Sequence, residues 1–328
     1  MRLIVGRRAS LSAQDARPPG ATARTGSTAI ERDPDGRAHR APARVFQIVD
    51  DEAIDLTELD PAVGSDLSAL AGDASLLSRI VARIAGTGAA VSRIPLAEIV
   101  PALPIERPGK ILCLGLNYVD HIKEGGYEIP DYPAFFMRWR SSLMAAGEPM
   151  IRPSCSEQLD YEAELMVVVG RGGRHITEAD ALSHVFGYTL FNDGSVREYQ
   201  RKTHQWGPGK NFDATGPVGP IVVTPDELPE GAIGLAISTR VGDDEVLQSA
   251  NTSDMLWSVA RTIATASEFA TLESGDLIAM GTPPGVGHAR KPPRWLRPGE
   301  TVHVEIEGIG TCSNPIVAEE TLATERTA

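Results

Sequence analysis

The sequence predicts an α+β protein that is mainly β, an antiparallel roll or distorted barrel behind a small N-terminal α/β domain. Three observations lead there. The 328 residues include 32 glycines and 24 prolines, which cut the chain into short segments. Apolar runs of strand length recur between these breakers, and only a few stretches carry a helical period. Aromatics make up 5% of the residues, so the core that the runs build is aliphatic.

Residues 2–6 read as a short strand. Residues 17–44 are rich in Arg, Pro, Gly, Ala and Thr with no apolar period, and read as a surface loop or flexible insert. A strand at Val45–Val49, a turn at Asp50-Asp51-Glu52 and a helix near Leu76–Ile84 follow. Prolines at 101, 104 and 108 mark Pro101–Gly109 as a linker, dividing a small domain, 1–105, from a main domain, 106–328. Main-domain strands are expected at Lys110–Gly115, Ala134–Met137, Glu162–Val169, Phe186–Phe191, Ile221–Thr224, Leu235–Val241, Asp276–Met280 and Thr301–Ile306. Helices are expected at Glu178–Ser183, Ser195–Lys202 and Ser253–Ala270, the last behind a run of good N-caps.

The net charge of −13 argues against nucleic acid or an anionic membrane as partner. Residues 1–44 hold nine Arg against four acids, so the remainder carries −18. A small anionic substrate can still bind such a chain if a divalent cation inverts the local field. Three sparse cysteines, Cys113, Cys155 and Cys312, fit reduced thiols and a cytoplasmic setting. The N-terminus lacks the apolar run of a signal peptide, and no stretch approaches the ~20 apolar residues of a membrane span.

Five segments carry chemistry. In Asp160-Tyr161-Glu162-Ala163-Glu164, strand alternation puts Glu162 and Glu164 on one face at the mouth of a buried run. Two adjacent carboxylates repel unless a hard cation such as Mg²⁺ or Mn²⁺ lies between them; the alternative is a solvated edge strand. Asp193, at the end of an apolar strand before Gly194, is either a helix cap or the third carboxylate such a site needs. Lys210, in Gly207-Pro208-Gly209-Lys210, is either solvated or set to neutralise an anion. His121 and Glu124 lie one helical turn apart, as a surface pair or as a base with its orienting carboxylate. Met280-Gly281-Thr282-Pro283-Pro284-Gly285-Val286-Gly287 exposes backbone N–H groups able to grip a carboxylate.

In order and spacing these segments, with Leu296-Arg-Pro-Gly-Glu-Thr-Val and Ile306-Glu-Gly-Ile-Gly, resemble the fumarylacetoacetate hydrolase family over about Lys110 to Val317. The resemblance implies that family's β-rich fold, a homodimer, and Mg²⁺ or Mn²⁺ held by Glu162, Glu164 and Asp193. It implies catalytic roles for His121, Glu124 and Lys210, and substrate contacts from Arg197, Gln200, Thr282 and Gly281. Three positions depart from the family pattern. Arg197 is followed by Glu198 where Asp is frequent, Arg138-Trp139 replaces a usual Lys-Pro, and Gly194 replaces an aromatic.

The function so implied is hydrolysis of a C–C bond in an acylpyruvate-, fumarylpyruvate- or maleylpyruvate-type β-diketo acid, in a setting such as aromatic-ring degradation. The metal would grip the 2-oxo acid end while His121, oriented by Glu124, activates water. An alternative keeps the metal site and changes the reaction to decarboxylation, isomerisation or hydration of a 2-oxo acid. A third reading is a non-catalytic protein of the same fold.

Overall fold

A computed structural model describes residues 1–9, 42–87, 91–243 and 245–319. The expected loop or insert at 17–44 lies outside the described residues as far as 41, and Arg44 already opens a strand. The N-terminal strands are β1 (Arg2–Arg8), β2 (Arg44–Val49), β3 (Glu52–Asp55), β4 (Arg93–Pro95) and β5 (Ile99–Pro101). Next come β6 (Ile111–Gly115), β7 (Ala134–Met137), β8 (Leu143–Ala145), β9 (Met150–Arg152), β10 (Leu159–Asp160), β11 (Ala163–Val169) and β12 (Val185–Asn192). The rest are β13 (Ser195–Val196), β14 (Gly216–Val218), β15 (Ile221–Val223), β16 (Ala236–Val241), β17 (Glu245–Asn251), β18 (Leu277–Ala279), β19 (Thr301–Ile306) and β20 (Gly310–Ala318). Helices are α1 (Leu56–Leu59), α2 (Ser68–Gly72), α3 (Ala74–Thr87), α4 (Val119–Glu124), α5 (Arg197–Gln200), α6 (Gly207–Lys210) and α7 (Val259–Phe269).

The large sheet runs β4-β3-β2-β1-β15-β12-β11-β18-β6-β7, with β5 on β1, and β14 bridging β12 to β8. It is an open, distorted roll whose path ends at β4 and β7 among the described residues. The N-terminal strands join it through the antiparallel pairing of β1 with β15. Pairing is mainly antiparallel, with parallel pairs at β6–β18, β8–β14 and β9–β20.

β11 is buried along its whole length because both of its faces are covered. Leu165 and Val167 pack with Ile237, Val304 and Ile306 of the second sheet, β17-β16-β19-β20-β9, and with Ile263 of α7. Met166 and Val168 face the other way, into a cluster holding Leu76 and Ile80 of α3. A strand covered on both faces reads as a continuous apolar run, as this one does.

Three helix expectations are corrected. Residues 178–183 form turns and a short 3-10 segment, Ala181–His184. There Thr177 and Asp180 bond each other, and the Ser183 hydroxyl donates to Asp180 O, holding turns in place of a helix. Ser195 and Val196 pair with β10, so the helix expected over 195–202 shrinks to α5. The expected Ser253–Ala270 helix divides into a 3-10 turn capped by Asn251 and the true helix α7, capped by Ser258. The unexpected strand β17 buries consecutive residues, Leu247 and Gln248, beside a register shift against β16, which hides its period of two. Among the described residues, no helix is long and apolar enough to cross a membrane.

Candidate metal centre

The site begins with strand register. β11 pairs with β12 so that Ala163 stands opposite Asn192. That pairing sets Asp193 beside Glu162, whose carbonyl accepts from Asp193 N at 2.9 Å, while Glu162 N donates to Asn192 Oδ1 at 3.0 Å. Glu162 and Glu164, two residues apart, point to the same side of the strand. Carboxylate oxygens of Glu162, Glu164 and Asp193 all lie within 4.8 Å of one another, and all three residues are buried.

Buried acids demand partners. The Lys210 ammonium lies 2.6 Å from both Glu162 Oε2 and Asp193 Oδ2. Arg197 Nη2 donates to Glu162 Oε1 at 2.6 Å, and its Nε donates to Asp160 Oδ2 at 2.7 Å. Arg138 pairs with Asp193 Oδ1 and also donates to Thr215 Oγ1, Ser142 Oγ and Gly194 O. Lys210 reaches the carboxylates because α6 lies against α5: a Cβ on Gly209 would stand 2.4 Å from Gln200 N.

These contacts decide the protonation. Burial would raise the Glu162 carboxyl, but Lys210 and Arg197 hold it well below the usual range. Burial disfavours charge on Lys210 too, yet Asp193 and Glu162 raise its pKa on balance. Among the described residues Glu164 has a single hydrogen-bond partner, the Gly281 N–H at 3.0 Å. Burial, Asp193 and Glu162 together push its pKa far above the carboxylate range.

Of the remaining candidates, His121, Arg197, Gln200, Lys210 and Thr282 line the cleft beside this cluster, and Glu124 meets His121. His121 Nδ1 is 3.4 Å from Glu124 Oε2, and Glu124 also accepts from Gly285 N at 3.0 and 3.1 Å. Glu124 therefore ties α4 to the glycine loop as well as facing His121. The Thr282 hydroxyl accepts from Gln248 Nε2 at 2.9 Å, which leaves its own proton to donate into the cleft. Two expected substrate contacts, Gly281 and Arg197, carry bonds within the protein. Gly281 spends its N–H on Glu164, and its φ of 85° beside Asn117 suits glycine. Arg197 lines the cleft and commits three of its five N–H donors to Asp160, Glu162 and Gln200, so it braces the acidic cluster as well.

Sequence reasoning missed Asp160, Arg138 and His288 as parts of the site. Asp160 accepts from Gly287 N, His288 N, Tyr161 N and Arg197, pinning the glycine loop to the metal strand. Its signal was present: Asp160 shares parity with Glu162 and Glu164. His288 lines the cleft, and nothing local in the sequence marks it.

A hard divalent cation fits these residues. The donors are carboxylate oxygens, the type Mg²⁺ and Mn²⁺ take. Four buried carboxylates, Asp160, Glu162, Glu164 and Asp193, face three buried cations, Arg138, Arg197 and Lys210, so Glu164 lacks a counter-charge. A dication supplies it and leaves the cluster with one positive charge, which suits an anionic ligand.

A family model, the fumarylacetoacetate (FAA) hydrolase C-terminal domain, matches residues 110–317. The chain belongs to the fumarylacetoacetate hydrolase family. It is 40% identical over 268 residues to a mitochondrial oxaloacetate tautomerase of Homo sapiens, covering 80% of this chain and 83% of that protein. The solved fumarylacetoacetate hydrolase of Exiguobacterium antarcticum superposes with a TM-score of 0.70 at 33% identity, over 84% of this chain and 96% of that one. The maleylpyruvate hydrolase of Sphingobium sp. SYK-6 gives a TM-score of 0.70 at 28% identity, over 85% and 97% of the two chains.

Within the fumarylacetoacetate hydrolase pattern, the three departures have local reasons. A Cβ on Gly194 would lie 2.1 Å from Thr215 O, so this backbone excludes a larger residue there. Arg138 uses its fork for three side-chain partners, which a lysine cannot match. Glu198 turns away from the carboxylate cluster to accept from Gln158 and Ser156.

Proposed function

We propose that the protein is a divalent-metal-dependent isomerase that interconverts the keto and enol forms of a 2-oxo acid. The observation that carries this reading is the convergence of Glu162, Glu164 and Asp193 below a cleft that His121 also lines. The human relative, named an oxaloacetate tautomerase, favours isomerisation over hydrolysis and makes oxaloacetate the first substrate to test.

Mg²⁺ or Mn²⁺ held by Glu162, Glu164 and Asp193 supplies Lewis acidity towards a 2-oxo acid. Keto–enol conversion removes a proton from C3 and places one on the 2-oxo oxygen, breaking no carbon–carbon bond and consuming no water. His121, faced by Glu124 at 3.4 Å, takes the C3 proton as base. Lys210 provides positive charge where the oxygen gains electron density. The Thr282 hydroxyl and the Gln200 amide orient the substrate carboxylate. We extend the proposal to a homodimer: Met137 and Trp139 are 60% and 67% exposed, an apolar surface a second copy would cover, and light scattering reads the mass.

The test follows the absorbance of enol-oxaloacetate with magnesium- or manganese-loaded protein. Conversion should exceed the spontaneous rate, stop with chelator, and fall about 100-fold in His121→Gln. A folded, metal-loaded protein that leaves the rate unchanged defeats the reading. Hydrolysis is the second reading, favoured by the same His121–Glu124 pair and by the likeness to a maleylpyruvate hydrolase. Mass analysis of products formed from β-diketo acids in ¹⁸O water separates the two.

A further inference from the structure

Interconversion of a 2-oxo acid and its enol moves two protons, one at C3 and one at the 2-oxo oxygen. His121 accounts for the first. The second needs a group on the cleft wall that takes up and releases a proton near neutral pH. Among the described residues that line the cleft, most do not qualify. Lys210 is bound by Glu162 and Asp193, which raise its pKa and keep its proton in place. Glu162 and Glu164 belong to the metal centre. Guanidinium and phenol groups hold their protons at neutral pH, which sets aside Arg197, Arg201 and Tyr127. Two imidazoles are left, His121 and His288.

The two are built alike. His121 Nδ1 stands 3.4 Å from Glu124 Oε2, and His288 Nδ1 stands 3.4 Å from Asp160 Oδ2. The backbone of His288 is fixed by the same carboxylate, which accepts from His288 N at 3.0 Å and from Gly287 N at 2.8 Å. His288 Nδ1 is enclosed, near enough to feel the Asp160 charge but off the hydrogen-bond line. The ring therefore opens onto the cleft on its Nε2 side. Asp160, Arg197 and Arg201 are the charges that face it. Burial acts most strongly, and with the two guanidiniums it outweighs Asp160, so the imidazole stays neutral and below its usual range. A neutral imidazole has a lone pair ready to take a proton.

We infer that His288 is the second proton carrier of the reaction, with Nε2 accepting the proton of the enol hydroxyl while His121 returns one to C3. The inference rests on the isomerase reading and gives it a residue for the oxygen. The enol O–H bond breaks as an N–H bond forms on His288, and the freed pair closes the C2=O bond. The C2=C3 pair takes its proton from the His121 imidazolium. His288 then loses its proton to solvent and His121 regains one, and from the keto side the two exchange roles. Asp160 steadies the imidazolium formed at His288, as Glu124 does at His121.

The test follows two signals in magnesium-loaded protein, each above its spontaneous rate: decay of enol-oxaloacetate absorbance, and exchange of the C3 hydrogens of oxaloacetate in D₂O, read by NMR. Exchange needs only removal and return of the C3 proton, so it reads His121, whereas enol decay also needs the oxygen proton. His288→Gln should lose about 100-fold in enol decay and keep C3 exchange within about threefold, which also shows that the variant is folded and loaded. His121→Gln should lose both. At saturating magnesium, the parent rate should fall as pH drops and His288 takes a proton, and His288→Gln should flatten that acid limb. Equal losses in the two signals, or a loss in neither, overturn the second carrier. A parent protein that leaves the enol at its spontaneous rate sinks the isomerase reading, and His288 with it.

Discussion

Replacing Arg138 by Met probes the charge balance of the centre most directly. The Arg138 and Asp193 side chains are both fully buried, and the guanidinium is one of two cations on that carboxylate. Removing one partner of a buried pair costs about 3–5 kcal/mol, because it strands the other charge. For a chain larger than the 150–250 residues over which 1 kcal/mol shifts Tm by about 2–4 °C, the lower end applies, so the loss is roughly 6–10 °C. Magnesium stabilises parent and variant alike, so the gap narrows only as far as the variant, with one cation fewer on Asp193, grips the metal more tightly; a tenfold tighter grip recovers ~1.4 kcal/mol. Thermal unfolding of Arg138→Met in chelator and in saturating magnesium should therefore show the full drop in the first and a smaller one in the second. Arg138→Lys should fall between, keeping the charge and losing the fork. The reasoning is refuted if Arg138→Met melts with the parent protein in chelator, or if its deficit is unchanged by magnesium.

Glu164→Gln should lose most metal affinity in calorimetry and about a thousandfold in turnover while remaining folded, since the substitution keeps an acceptor for Gly281 N and removes the unpaired charge. The pH dependence follows from the raised Glu164 pKa: the contribution of that carboxyl to the stability of the metal-free protein is fully present below its unfolded value and is lost as pH rises through the folded value. Magnesium should flatten that slope, and its affinity should rise with pH because binding displaces the proton. Melting curves taken across pH with and without metal check both signs. Gly209→Ala should cost about 1–3 kcal/mol and much of the activity, because a Cβ 2.4 Å from Gln200 N forces α5 and α6 apart; unchanged activity would remove the close approach as a requirement.

Much of the centre was legible in order along the chain. The Glu162–Ala163–Glu164 alternation needs only strand geometry to place two carboxylates on one side, and β11 reads as a strand from its unbroken apolar run. Asp193 as the third carboxylate was not decided by its local sequence, since an isolated Asp before Gly more readily reads as a helix cap. The Ala163–Asn192 register closes that alternative by setting it beside Glu162. The shortened α5 was hidden because Ser195 and Val196 pair with β10, a contact outside any local window.

Periodicity, composition and short motifs fix properties that a few neighbouring residues determine: a mainly β chain, same-face acids, a His–Glu pair one turn apart. Which charge meets which is a long-range matter. Arg138 lies 55 residues from Asp193, and Asp160 lies 127 residues from Gly287. Only the packed sheets bring these together and exclude water, and burial is what forces each carboxylate to find a cation. That is why the sequence alone announced an acidic site, while the tertiary structure decided that, among the described residues, Glu164 is the carboxylate of the cluster without a counter-charge.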